Sequence, residues 1–316
     1  MPFKETCPVE ERIVMLRDYD TGAFRVGDLS RRYGVSRETF YVWKRRRESG
    51  EERWFEARSR APLHCPHATD AVQAASIVAM RKRHPHYGAK KIRAKLLEKR
   101  PGTAWPAAST IGDILKRNGL IAAPERRRKP VARGEIVAGA EDANDEWSID
   151  FKGWFRTRDG GRCDPLTIAD TASRYLLEAR IVEPTWAGVR LTLERVFEEA
   201  GLPLAIRSDN GAPFGSTGAG GLSSLSVWWL KLGIEPRYIP PSSPQDNGRH
   251  ERMHRTLKAE TMRPAAATMA EQQARFDAFR KHYNQERPHE ALDQTPPARH
   301  WQCSPRPLPR RLVDPW

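Results

Sequence analysis

The 316-residue sequence predicts a multidomain chain, an all-α N-terminal region followed by an α/β domain built on a mixed sheet. Three observations predict it. Residues 9–49 repeat apolar side chains at helical spacing. After Glu146 the texture changes to short alternating runs interleaved with amphipathic stretches. The net charge of +14 is segregated: residues 1–134 carry a net +15, residues 135–248 a net −6 and residues 249–316 a net +5. Solubilising surfaces interleave their signs. A basic front, an acidic middle and a basic end suit a polyanion gripped on both sides of a carboxylate-rich centre, and point to nucleic acid.

In "EERIVMLRDYD", Ile13, Leu16 and Tyr19, with Val14 nearby, fall on one helical face. "VGDLSRRYGVSRETFYVWKRRRESG" then reads as a helix, a tight turn at Gly34 and a second helix, with Ser36 as N-cap and Thr39 three residues on. Leu29, Tyr33, Val35, Phe40 and Trp43 form the apolar set that locks the pair. This is a helix-turn-helix pattern whose second helix turns Arg37, Glu38, Thr39, Tyr41, Lys44 and Arg45 outward. An ordinary helical pair with a charged face competes; the glycine turn and the Lys44–Arg47 run favour DNA binding.

Residues 70–120 repeat the idea. "HPHYGAKKIRAKLLEKR" and "PAASTIGDILKRNGL" each read as a helix, the second capped by Ser109 and stopped at Asn118-Gly119. His84, His86, Lys90, Lys91 and Arg93 make the segment basic. His64, Cys65 and His67 lack a second ligand pair at zinc-finger spacing and read as loop residues. "APERRRKPVARGE" is a charged linker. The domain boundaries expected are 1–60, 61–122, 123–140 for the linker, 141–262 for the α/β core, and 263–316 for a C-terminal helix and a loosely ordered Pro-rich tail. Four scattered cysteines (Cys7, Cys65, Cys163, Cys303) argue against a disulfide scaffold and suit a reducing cytoplasm. No apolar run is long enough to span a bilayer, and no membrane partner is expected.

Within 141–262, "EWSIDFKGWF", "CDPLTIAD" and "RYLLEARIV" read as strands, with Asp170 in a turn between the second and third. "WAGVRLTLERVFEEAG" reads as a helix, "PLAIRSDNG" as a strand, "LSSLSVWWLKLG" as a helix and "EPRYIPP" as a last strand. A further helix is expected to start near Ser243-Pro244, and another lies at "AEQQARFDAFRKHYNQERP". In such a sheet the acids of a metal site gather where neighbouring strands end. Asp150 and Asp209 occupy strand ends, and Glu251 lies on the helix after the last strand. Singly, each is an ordinary turn or cap residue; together, in an acidic domain between basic ones, they form a candidate site.

Glu251 also belongs to His250-Glu251-Arg252-Met253-His254, which spells the H-E-x-x-H zinc signature of metalloproteases, with Glu271 or Glu286 as a third ligand. Arg249, Arg252 and Arg255 would crowd such a site with positive charge, and that reading leaves Asp150, Asp209 and the basic front unexplained. The two histidines are therefore expected to be dispensable.

The ordered set "WSIDF" (147–151), "RSDNGAPF" (207–214), "PSSPQDNGRHERMHRTLKAE" (241–260) and "HYNQERPHEAL" (282–292) resembles the integrase-like transposases of bacterial insertion sequences. With the helix-turn-helix, the resemblance covers nearly the whole chain. It implies a ribonuclease-H-like catalytic core and an acidic triad at Asp150, Asp209 and Glu251, separated in the last interval by 41 residues, longer than the family's usual spacing. The glycine-rich "GSTGAGG" at 215–221 can hold the excess as a loop. The implied activity is Mg²⁺-dependent cleavage and strand transfer of double-stranded DNA, at element terminal repeats and target, by a homo-oligomer on paired ends. Two ions are implied, with Mn²⁺ as substitute. Asp150 would bridge both ions while Asp209 and Glu251 each complete one. Arg255 and Lys258, four and seven residues beyond Glu251, share its helical face and are assigned to the phosphate backbone. The rival from another class is a non-catalytic helix-turn-helix regulator derived from a transposase.

Overall fold

The computed structural model describes residues 7–60, 68–121, 140–216, 221–239 and 248–311. The chain divides into two compact units, Met1–Ala68 and Thr69–Trp316. The first holds α1 (Pro8–Asp20), α2 (Val26–Arg32) and α3 (Arg37–Glu48). Pro8 opens α1 where its missing N–H costs nothing, and Gly34 takes φ +64° in the turn between α2 and α3. The Ser36 hydroxyl accepts the Thr39 N–H at 3.0 Å, the cap expected from the sequence. Met15, Leu16, Leu29 and Phe40 are buried together, with Tyr19, Tyr33, Val35 and Trp43 packed around them. Phe40 is 0% exposed. Phe40→Ala is expected to destabilise this unit by about 3–5 kcal/mol, read by chemical denaturation followed by circular dichroism. A loss under about 1 kcal/mol would contradict so small a core depending on that ring.

The second unit begins with α4 (Ala71–Arg83), α5 (Ala89–Lys99) and α6 (Ala108–Arg117) around Ile77, Ile92, Trp105 and Ile111. The sequence reading missed α4, whose N-cap is Asp70, accepting the N–H groups of Val72 and Gln73. Ala107, with no side-chain cap, starts α6, so Ser109 lies inside the helix rather than at its cap. The expected linker at 123–140 falls, except for its last residue, outside the described residues.

The core sheet runs β5-β4-β1-β6-β7, with β1 (Glu146–Phe151), β4 (Pro165–Asp170), β5 (Leu176–Ile181), β6 (Ala205–Ser208) and β7 (Glu235–Tyr238). It is antiparallel across β5, β4 and β1, and parallel across β1, β6 and β7. The stretch expected as one long first strand breaks after Phe151, and Phe155–Arg156 (β2) instead pairs with Arg162–Cys163 (β3) as a separate hairpin. Trp147 and Ile149 pack on one face with α7 (Trp186–Ala200) and α8 (Ser224–Lys231). On the other face Ala169, Leu176 and Ala179 meet α9 (Gly248–Thr261) and α10 (Met269–Gln285). Every residue of β4 is buried, as a central strand covered on both faces requires. The expected helix start at Ser243-Pro244 lies outside the described residues.

Two expectations are corrected. The tail is held rather than loose: Trp301 stacks on Tyr175 with ring centroids 4.1 Å apart, and the Arg306 carbonyl accepts the Leu202 N–H at 2.7 Å. Asp170 is no idle turn residue. It ends β4 at 1% exposure, and its oxygens accept the N–H of Asn144 and both the N–H and hydroxyl of Ser173. A buried carboxylate with three donors ties the β4–β5 turn to the approach of β1, so replacing it attacks the fold.

Candidate active site

Alternation along β1 sends Trp147 and Ile149 into the core and leaves Glu146, Ser148 and Asp150 facing α9. The parallel register pairs Ser148 with Arg207; Asp150 lies two residues further along β1, and Asp209 directly follows Ser208, the last residue of β6. Both residues therefore lie towards the C-terminal ends of two adjoining parallel strands. Beneath them Glu146, fully buried, accepts from Arg207 at 3.0 Å and Arg237 at 3.2 Å, clamping β1, β6 and β7 together. The turn after β6 is fixed too. Asp209 accepts the Gly211 N–H at 3.2 Å, and the Asn210 amide donates to the Ile239 carbonyl at 2.8 Å.

The buried stripe of α9 is His250, Met253, His254, Leu257 and Thr261. At about 100° per residue, Glu251 lies on the flank next to His254, with Arg255 and Lys258 on the same flank. All three are exposed. The triad candidates thus comprise a partly buried Asp150 and exposed Asp209 and Glu251.

The two histidines, expected from the sequence to be dispensable for cleavage, are buried. Each is 3% exposed. His250 Nδ1 meets the Ser148 hydroxyl at 2.6 Å and its Nε2 meets the Thr167 hydroxyl at 2.7 Å. His254 Nε2 meets the same Thr167 oxygen at 2.6 Å, and its Nδ1 faces Asp150 Oδ2 at 3.8 Å. Thr167 itself donates to the Asp150 carbonyl at 3.1 Å. Burial, and then the nearby Lys152 charge, push His250 down to about 3. Burial, His250 and Lys152 push His254 far down as well. Both imidazoles are neutral at pH 7. The signal for this network was the spacing of four between the histidines, read in the sequence only as a protease decoy. Among the described residues, Asp150, His250 and His254 form the one group of three metal-ligand side chains whose donor atoms all lie within 4.8 Å; Asp209 and Glu251 do not join it. Neither Glu271 nor Glu286 is part of it.

The DNA-contact candidates are dispersed. Arg37, Tyr41 and Arg45 are exposed on α3. Thr39 is half-buried, its hydroxyl 2.8 Å from that of Ser36, and Lys44 is half-buried beside the Tyr19 hydroxyl at 3.2 Å. Lys90 is paired with Glu290. Lys91 lies half-buried, 6.0 Å from the centre of the Tyr87 ring, and burial pushes its ammonium down to about 8.

Residues 232–297, which contain β7, α9 and most of the segment that follows it, match the integrase core domain family. This stretch of the chain is similar to that family. The matched stretch includes Glu251, Arg255 and Lys258, while Asp150 and Asp209 precede it. Over a longer stretch, the chain is similar to the insertion element IS476 uncharacterized 39.2 kDa protein of Xanthomonas euvesicatoria, 27% identical over 74% of this chain and 66% of that protein. It is also similar to the insertion element IS407 uncharacterized 31.7 kDa protein of Burkholderia multivorans, 28% identical over 76% of this chain and 85% of that one. The resemblance to insertion-sequence transposases with an integrase core therefore stands. Solved chains similar to this one include the catalytic core domain of BIV integrase, 21% identical over 49% of this chain and 92% of that chain with a TM-score of 0.37. Another is a chain of the simian T-cell lymphotropic virus intasome in complex with PP2A regulatory subunit B56 gamma, 18% identical over 76% of this chain and 79% of that chain with a TM-score of 0.45.

Proposed function

We propose that the chain is a metal-dependent transposase that binds the ends of an insertion element and cuts and rejoins DNA phosphodiester bonds. The observation that carries the reading is the parallel β1–β6 pair, with Asp150 near the end of β1 and Asp209 directly after β6, beside α9, the helix that bears Glu251 and packs its histidines behind Asp150. Three hard carboxylate donors suit Mg²⁺ or Mn²⁺. Two such ions, when bound, activate the attacking oxygen, stabilise the leaving one and neutralise the phosphate. On this reading Asp150 is the shared ligand, with Asp209 and Glu251 completing one ion each. Arg255 and Lys258 then hold the backbone beside the scissile bond.

Recognition belongs to the helices. The α2–α3 pair is read as a helix-turn-helix that presents Arg37, Thr39, Tyr41, Lys44 and Arg45 to the duplex, and α4–α6 as a second contact through Lys90 and Lys91. Lys44, Lys90 and Lys91 already have protein neighbours, so Arg37, Tyr41 and Arg45 are the readiest contacts. The partners proposed are terminal-repeat and target DNA, and further copies of the chain on paired ends in the cytoplasm. No described helix is long and apolar enough to cross a membrane.

The full chain is expected to bind duplex DNA without metal, with a log–log salt slope near −0.9 for each phosphate contact. Arg37→Ala together with Arg45→Ala should reduce that slope by up to about 2. Fluorescence anisotropy at several salt concentrations checks this. Binding that ignores salt, or a slope unmoved by the double substitution, would count against α3 as the docking helix.

A further inference from the structure

The hydrogen-bond chain behind Asp150 fixes more than the position of α9. Thr167 Oγ1 stands 2.7 Å from His250 Nε2, 2.6 Å from His254 Nε2 and 3.1 Å from the Asp150 carbonyl. His250 Nδ1 lies 2.6 Å from the Ser148 hydroxyl, which also donates to the Ala169 carbonyl at 3.2 Å. Both nitrogens of His250 and Nε2 of His254 are thus held by hydroxyls. His254 Nδ1 is the ring nitrogen turned to a carboxylate oxygen, Asp150 Oδ2, at 3.8 Å.

A ring nitrogen and a carboxylate oxygen face each other there at the rim of the buried network. The separation is too long for a hydrogen bond and right for two ligands of one cation. Ligand atoms about 2.1 Å from a common ion stand at most about 4.2 Å apart. A hydroxyl held on Nε2 is also the kind of support that orients a ligating histidine. His250 cannot act likewise, because both its nitrogens are taken.

We propose that His254 Nδ1 is a ligand of the divalent ion that Asp150 Oδ2 holds, giving the site mixed nitrogen–oxygen character and a preference for Mn²⁺ or Co²⁺ over Mg²⁺. Imidazole suits first-row transition metals, whereas Mg²⁺ keeps to oxygen. This rests on the metal-dependent reading above and adds a donor outside the acidic triad. Glu251, one helical flank away from His254, remains available to the same ion or its neighbour.

The test uses the full chain and metal binding itself. His254→Gln keeps a donor at the Nε2 position for Thr167 and deletes Nδ1. Titration with Mn²⁺ and with Mg²⁺ should show at least about a tenfold loss of Mn²⁺ affinity in this variant, with Mg²⁺ affinity changed less than about threefold. Electron spin-echo spectra of bound Mn²⁺ should carry directly coordinated nitrogen in the wild type and lose it in the variant. Nitrogen coupling in the wild type is decisive even if His254→Gln folds poorly. Wild-type Mn²⁺ without coordinated nitrogen, alongside Asp150→Asn that fails to bind, would leave an all-oxygen site and overturn this inference alone. Wild-type protein that binds neither ion, or Asp150→Asn that binds both normally, would remove the metal-site reading and this inference with it.

Discussion

Asp150→Asn, Asp209→Asn and Glu251→Gln are each expected to reduce Mg²⁺-dependent DNA cleavage and strand transfer by at least about a hundredfold. Each substitution keeps side-chain volume and removes one charged ligand. The three side chains differ in setting, and so should the side effects. Asp209 and Glu251 are exposed, so their variants should melt like the wild type. Asp150 touches the buried histidine network, so its variant is the one in which a stability change is expected. Salt-sensitive DNA binding by α3 belongs to the other compact unit and should persist in all three. Glu198→Gln, on the exposed side of α7, serves as the comparison that should retain activity. Asp170 cannot serve, because its carboxylate is a buried structural acceptor. Oligonucleotide cleavage beside a binding assay reads the outcome. A triad variant cutting at near the wild-type rate would end the three-carboxylate reading.

Sequence pattern reached the elements whose cause is local. Ser36 caps α3 because a short hydroxyl at that position is the cheapest partner for an orphan N–H, and the residue type announces it. Asp150 was legible near the end of β1 and Asp209 as the residue after β6, because alternation and the turn signal Asn210-Gly211 are local. What escaped the sequence depends on partners far along the chain. Asp170 reads as a turn former until the Asn144 N–H, 26 residues upstream, is found on its carboxylate. His250 and His254 read as a zinc motif or a coincidence. Their roles are set by Ser148 and Thr167, on two strands about a hundred residues away. The C-terminal tail has the composition of a loose segment, yet Trp301 finds Tyr175 and Asn144. The helix α4 was lost because alanine-rich, weakly amphipathic stretches give periodicity little to detect.

His289→Asn is expected to make the protein relatively more stable as the solution is acidified. The His289 ring packs edge-on against Tyr283 with centroids 4.7 Å apart, and its Nε2 is buried without a hydrogen-bond partner. Burial first, then the charges of Lys91, Arg287 and Arg174, push this imidazole from 6.5 down to about 3. The unfolded chain therefore takes up a proton below pH 6.5 that the folded chain refuses until about pH 3. Within that window the unfolded state binds more protons, so stability falls with pH by up to about 1.4 kcal/mol per unit from this one group. Above the window the penalty is absent, and below it both states are protonated and the slope ends. Asparagine cannot titrate, and its amide can still donate to the Tyr283 carbonyl that the histidine uses. The lost ring packing costs the variant a constant amount, so the pH dependence of the difference is what matters. Between pH 6.5 and pH 4.5 the difference in unfolding free energy should move in the variant's favour by about 2–3 kcal/mol. Urea denaturation of both proteins at half-unit steps measures it. Parallel stability curves across that range would mean that His289 is protonated in the folded protein as readily as in the unfolded chain, and that the cationic wall of Lys91, Arg287 and Arg174 does not act on it.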